Sequence, residues 1–261
     1  MKYPEDYINK IICGDCLEVM KGIPDNSVDL TVTSPPYGQI RDYKGYNFDF
    51  ENIAKELYRI SATVVWVVND QTVGGSESGE SFRQALYFKE IGFNLHDTMI
   101  YLKDGFPFPE ATRYQPIFEY MFVFTKGKIK TFNPIKKKNI WGNLVYKERE
   151  RGKDGVVHSK DERYILNEGN VSNCWFYRVG YMKSTTDTFA YDHPAIFPDN
   201  LAYDHILSWS NKGDIILDPM SGSGTVAKMA KFSGRKFIGI EISQEYCEIA
   251  QRRLAQEYLF T

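Results

Sequence analysis

The chain has no long apolar run. Over its 261 residues nothing approaches the stretch of about 18 apolar residues that a membrane-spanning helix needs. Met1-Lys2-Tyr3-Pro4-Glu5-Asp6 also lacks the apolar core of a secretory signal, so the expected location is the cytoplasm. Net charge is small, −2 from 32 basic and 34 acidic residues, which excludes a generally basic coat for nucleic acid and leaves any such contact to a local patch. Metal ligands are sparse as well. Cys13-Gly14-Asp15-Cys16 has the spacing of a thiol pair, but Cys174 and Cys247 stand alone and His96, His158, His193 and His205 are scattered, so neither a zinc site nor a disulfide is expected. Internal repeats and low-complexity segments are absent. A composition that is 43% hydrophobic and 25% charged suits one globular domain with a full core, carrying at most an insertion.

Against these absences stands a clear α/β rhythm. Ser27 to Val32 alternates apolar and polar residues and runs into Pro35-Pro36, as a strand opening into a loop does. Asn52 to Ile60 predicts a helix, Thr63 to Val68 a buried strand, and Phe82 to Ile91 a helix stopped by Gly92. Two further strands are expected at His96 to Leu102 and Phe118 to Thr125. At the C-terminal end Asp214 to Asp218 reads as a strand, Pro219 to Gly224 as a glycine-rich turn, Thr225 to Phe232 as a helix and Lys236 to Glu241 as a strand. Ser243 is the expected cap of a final helix running towards Leu254. Strands alternating with helices predict a mostly parallel sheet.

Between Lys126 and about Ala190 the rhythm dissolves into Lys136, Lys137, Lys138, Lys147, Arg149 and other basic residues interleaved with Trp141, Tyr146, glycine and asparagine. A charge run is usually a solvated face. Positive charge mixed with aromatics and amides on a long insertion is also how proteins meet phosphates and base edges. Composition alone leaves both open.

Gly222-x-Gly224-x-x-Ala227 follows a strand, and the acidic Glu241 ends the next strand about 20 residues on, which satisfies the dinucleotide-binding fingerprint. A nicotinamide oxidoreductase is therefore one reading. Asp218-Pro219 argues against it, because a carboxylate opening the turn is awkward beside a pyrophosphate and natural beside a cation. Asp218-Pro219-Met220-Ser221-Gly222-Ser223-Gly224-Thr225 with Ile238-Gly239-Ile240-Glu241 resembles the cofactor motif of amino-methylating DNA methyltransferases, D-P-F-x-G-x-G-T, with Met220 in place of the commoner phenylalanine. The resemblance implies S-adenosylmethionine, bound by Asp218, Pro219, Met220, Gly222, Ser223, Gly224, Thr225 and Glu241.

Thr33-Ser34-Pro35-Pro36-Tyr37 resembles the same family's catalytic motif, S/D/N-P-P-Y. An isolated Pro-Pro-Tyr would be a rigid turn after a strand. In this company the chemistry explains it. The lone pair of a nucleobase amino group is delocalised into the ring, so acceptors must hold the amino hydrogens while the nitrogen turns towards the methyl group. The Ser34 side-chain oxygen and the Pro35 carbonyl are the candidate acceptors, the Pro35-Pro36 pair would supply a stiff frame, and Tyr37 would stack on a base flipped from the duplex. A covalent C5-cytosine mechanism is disfavoured because no cysteine follows a proline.

Gly14-Asp15-Cys16-Leu17 and Ile23-Pro24-Asp25-Asn26-Ser27-Val28-Asp29-Leu30 are similar to further stretches of the family, placing Asp15 and Cys16 near the cofactor adenine. His193-Pro194-Ala195-Ile196-Phe197-Pro198 resembles the segment near its methionine end, adding His193, Ala195 and Phe197. The chain is identified as a member of the β class, with a circularly permuted motif order on a Rossmann-like methyltransferase fold. The resemblance divides it into a catalytic half at 1–125, a target-recognition insertion at 126–190 and a cofactor-binding half at 191–261, with Lys136, Lys137 and Lys138 on DNA. The implied partner is double-stranded DNA; the family also admits a homodimer and a cognate restriction endonuclease. Ser34, where adenine-N6 members mostly carry Asp or Asn, favours cytosine N4, with adenine N6 the alternative. A non-enzymatic nucleic-acid-binding module would leave two reaction motifs without a purpose.

Overall fold

The apolar run around Trp66 belongs to a strand buried on both faces, and the sheet is built outwards from it. The computed structural model describes residues 1–36, 48–105, 112–140 and 142–256. In chain order the main-sheet strands are β1 (Lys10–Cys13), β2 (Val28–Thr33), β3 (Ser61–Val68), β4 (Asn94–Lys103), β5 (Phe118–Thr125), β6 (Cys174–Tyr177), β7 (Ile215–Asp218) and β8 (Lys236–Glu241). The helices are α1 (Cys16–Met20), α2 (Phe50–Ile60), α3 (Glu80–Glu90), α4 (Asp199–Trp209), α5 (Thr225–Phe232) and α6 (Gln244–Leu254). The strands lie in the order β1-β8-β7-β2-β3-β5-β4-β6. All neighbours are parallel except β5, which runs antiparallel to both β3 and β4.

The fold is the α/β architecture expected, and the order of strands displays the permutation. The C-terminal strands β7 and β8 sit between the N-terminal strands β1 and β2. Helices α1 to α3 pack together on one face, and α4 to α6 pack in sequence on the other. Trp66 is fully buried and its indole N–H donates to Gln84 Oε1 at 2.8 Å. Phe88 stacks on Phe124 with ring centroids 4.6 Å apart. Each such side chain contributes roughly 1.5–3 kcal/mol by leaving water. His205 on α4 is structural: burial pushes it down to about 3, and it lies neutral between the Met121 sulfur and the Trp209 indole N–H.

Three expectations need correction. The final helix does have Ser243 at its cap position, but the hydroxyl makes no capping bond; its backbone N–H instead donates to Glu241 Oε1. Helix α2 begins before Asn52, because Asp49 accepts from the Asn52 N–H and the Phe50 ring packs 5.8 Å from that of Trp66. The region 126–190 is not irregular throughout. Two compact units divide the chain, one made of Met1–Asn133 with Asn173–Thr261 and the other of Pro134–Ser172. The first therefore reclaims both ends of that region, including β6, which pairs with β4 through Trp175 and Tyr101. The short strand was hidden because Cys-Trp-Phe-Tyr offers no alternation to read.

Within the second unit Val145–Arg151 and Val157–Tyr164 form an antiparallel hairpin, and Lys136–Lys138 pairs with Glu168–Asn170. Among the described residues no helix is long and apolar enough to cross a membrane.

Candidate active site

Strands β7 and β2 are parallel neighbours whose continuations leave in opposite directions, through α5 to β8 on one side and through α2 to β3 on the other. The crevice beyond their carboxyl ends is a topological switch point, where open α/β sheets bind ligands. Asp218 ends β7 and Thr33 ends β2. Their side chains meet: Thr33 Oγ1 donates to Asp218 Oδ1 at 2.8 Å. Two motifs 185 residues apart in the sequence are thus joined by one buried hydrogen bond.

A cavity of about 1030 Å³ opens at this point. Ser34, Pro35 and Pro36 line it from β2. Asp218, Pro219, Met220, Gly222, Ser223 and Thr225 line it from the glycine turn. Asp15 and Cys16 enter from the β1–α1 junction, Glu241 from the end of β8, and His193, Ala195 and Phe197 from the segment before α4. Tyr37 lies outside the described residues. Lys136, Lys137 and Lys138 belong to the other unit, where all three are exposed.

Gly224 does not line the cavity, and geometry explains why. It caps α5 at φ +79°, and a Cβ there would stand 2.6 Å from that of Ala250, so its missing side chain lets α6 approach the turn. Gly222, at φ +48°, serves the site itself. A Cβ on it would come within 2.8 Å of His193 Nε2, so glycine lets the His193 segment close over the turn. His193 accepts from the Ala195 N–H through Nδ1 and packs edge-on to Tyr246, ring centroids 4.4 Å apart. Glu241 holds the turn from below, Oε2 accepting from the Gly222 N–H at 2.7 Å and Oε1 from the Ser243 N–H at 2.9 Å. With three backbone N–H donors on the carboxylate, one lone pair remains for a further donor such as a ribose hydroxyl.

Burial raises the Asp218 carboxyl to about 7, with the Thr33 hydroxyl and the Met220 N–H partly offsetting it. Among the described residues no basic side chain pairs with it. A desolvated carboxylate at a cavity wall is stabilised by a cation, so the residues fit S-adenosylmethionine, whose sulfonium and ammonium carry positive charge. Burial raises Glu241 in the same direction, against three backbone N–H donors. Asp15 caps α1, its Oδ1 accepting from the Glu18 N–H at 3.1 Å. Burial pushes the Cys16 thiol up to about 12, so it packs as a neutral group and is no nucleophile.

Sequence reasoning missed what lies under the turn. Arg253 of α6 is fully buried and donates to the Ser223 carbonyl, the Ser223 and Thr225 hydroxyls, Asp187 and Asp199. Lys228 of α5 binds the same two carboxylates at 2.7 and 2.8 Å. This network ties the turn to the loop before α4. The available signal was spacing: Cys247, Ala250 and Arg253 fall on one face of α6, so the arginine points inwards with the small residues.

The sequence model of a family described as DNA methylase matches residues 28–252. The chain is 56% identical over 241 residues to the orphan methyltransferase M.BamHII of Bacillus amyloliquefaciens, across 90% of this chain and 91% of that one. It is 30% identical over 255 residues to the DNA adenine methyltransferase YhdJ of Escherichia coli strain K12, across 94% of this chain and 82% of that one. The solved structure of the PvuII DNA methyltransferase, named as cytosine-N4-specific, superposes with a TM-score of 0.67 at 17% identity, across 98% of this chain and 91% of that one. That last likeness concerns the fold.

Proposed function

The chain belongs to the N6- and N4-type DNA methylase family, whose methyl donor is S-adenosylmethionine, and from that premise we propose that it methylates the exocyclic N4 of a flipped cytosine. The observation that supports amino-group methylation is the Thr33–Asp218 hydrogen bond, which joins the Ser34 segment to the glycine turn at one cavity; Ser34 supports the choice of cytosine. When bound, S-adenosylmethionine supplies a methyl group activated on a sulfonium.

The rest of the chemistry falls to this chain's residues. Asp218 meets the cofactor's positive charge, Glu241 accepts from its ribose, and His193, Ala195 and Phe197 enclose its methionine end, while Asp15 and Cys16 border its adenine. Ser34 Oγ and the Pro35 carbonyl accept the two amino hydrogens and turn the nitrogen lone pair towards the methyl. Proline has no N–H and a fixed φ, so the Pro35-Pro36 frame holds that carbonyl steady. Tyr37 stacks on the flipped base. Serine is shorter than Asp or Asn, which suits a smaller pyrimidine whose amino group must reach the same place. The alternative, adenine N6, draws support from the relative named as a DNA adenine methyltransferase.

The insertion, whose compact part is Pro134–Ser172, is the proposed target-recognition element, with Lys136, Lys137 and Lys138 meeting phosphates. The halves 1–125 and 191–261 then supply the catalytic and cofactor-binding residues.

Incubation with unmethylated genomic DNA and methyl-labelled S-adenosylmethionine, followed by digestion and mass spectrometry of the nucleosides, tests the reading. N4-methylcytosine is expected. N6-methyladenine alone would overturn the choice of base, and absence of transfer the whole proposal.

A further inference from the structure

The cavity lined by Ser34, Pro35 and Pro36 is also lined by three residues that no sequence motif announced: Tyr101, Lys103 and Glu119. Topology brings them there. Lys103 closes β4, and because β5 is the reversed strand, its first residues emerge at the edge where the parallel strands end. Tyr101 and Glu119 are directly opposed across the β4–β5 pair, and Lys103 lies two residues beyond Tyr101, so all three share one face.

Lys103 Nζ forms an ion pair with Glu119 Oε1 and sits 5.7 Å from the Tyr101 ring centroid. The Lys103 and Glu119 side chains are 23% and 13% exposed, so the pair is largely out of water. A desolvated pair stabilises a fold little compared with apolar residues of the same volume. Its position at a cavity wall points to recognition. An ammonium has three N–H donors, and Glu119 is the acceptor for Lys103 among the described residues.

We propose that Lys103 reads the ring edge of the target base, an inference that rests on the clamp reading of Ser34 and Pro35. With the amino group of a flipped cytosine held by those two acceptors, the adjoining N3 and O2 are both acceptors, and the ammonium donates to them. Adenine offers N1 alone beside a C–H, and thymine presents N3–H as a donor, so this wall selects cytosine. Glu119 acts through Lys103 as a positioning residue. It orients the ammonium and neutralises it, so that the base can take up positive charge as its nitrogen is methylated.

The test is methyl transfer to unmethylated genomic DNA by the whole protein, with kcat and KM for DNA, the modified nucleoside, S-adenosylmethionine Kd and Tm all measured. Lys103→Met should lower kcat/KM for DNA about 10–100-fold, the discrimination of a two-point hydrogen-bonded contact, with cofactor Kd unchanged. Lys103→Arg should recover part of it. Glu119→Gln, which leaves an unneutralised ammonium, should lower kcat more than it raises KM. The exchange Lys103→Glu with Glu119→Lys should restore Tm without activity. Wild-type kcat/KM in Lys103→Met, an equal loss of cofactor affinity, or activity restored by the exchange would overturn the proposal. Absence of transfer by the unaltered protein would instead overturn the clamp reading beneath it.

Discussion

Charged residues do opposite work in the two compact units. Beneath the glycine turn, Arg253, Lys228 and Asp187 are buried against the partly buried Asp199, and each side chain is pinned by two or more partners. In Pro134–Ser172 the pairs cross a hairpin in water: Lys147 with Glu162, Lys160 with Glu150 and Arg163 with Glu148. Buried charge fixes geometry, because removing one partner strands the other. Exposed charge is exchangeable, and a lysine can trade a carboxylate or water for a phosphate with little change in the fold.

The largest effect is expected at Arg253. Arg253→Met leaves Asp187 and Asp199 with Lys228 as their remaining cation and should cost about 3–5 kcal/mol in denaturant unfolding. A loss under about 1 kcal/mol would mean that the network does not hold the turn.

That arginine also marks where the sequence stopped being legible. The turn could be read because its constraints are local: Gly222 and Gly224 adopt positive φ, Asp218 precedes them and Glu241 follows on the next strand. The Ser34 segment was legible because proline announces itself. Partnerships between distant elements were not. Thr33 belongs to the Ser34 motif, yet its bond to Asp218 depends on β7 inserting beside β2. Lys103 and Glu119 meet because β5 is reversed, and no periodicity encodes that reversal. Gly224 fits the fingerprint, but the space its missing side chain leaves is filled by α6, a packing partner that no local pattern shows.

Smaller effects are expected at exposed and cavity-lining residues. Within the site, Ser34→Ala removes one amino-group acceptor and should lower kcat on the order of 100-fold, with cofactor Kd unchanged by titration calorimetry. A fall in cofactor affinity of the same size would move Ser34 from the base to the cofactor. In the second unit, reversing Lys136, Lys137 and Lys138 to Glu should leave Tm unchanged and reduce the slope of log K against log salt for DNA binding by about 2–3. An unaltered slope would return the run to a solvated face. Exchanging Lys147 and Glu162 across the hairpin should change stability by less than about 1 kcal/mol. A larger shift in thermal unfolding would show that these exposed pairs also fix structure.

The central claim is that Asp218, at the switch point, meets the positive charge of S-adenosylmethionine. Burial raises its carboxyl to about 7, so the folded chain without cofactor retains a proton that the unfolded chain has already released. Its contribution to stability therefore declines as pH rises from about 4 to 7, the reverse of an ion-paired carboxylate. A bound cation favours the ionised form. Calorimetric titration of S-adenosylmethionine across the weakly acid to neutral range tests this most directly. Affinity should strengthen as pH rises towards about 7, with proton release on binding, and Asp218→Asn should bind weakly and without that dependence. Equal affinity and equal pH dependence in the two proteins would contradict the account.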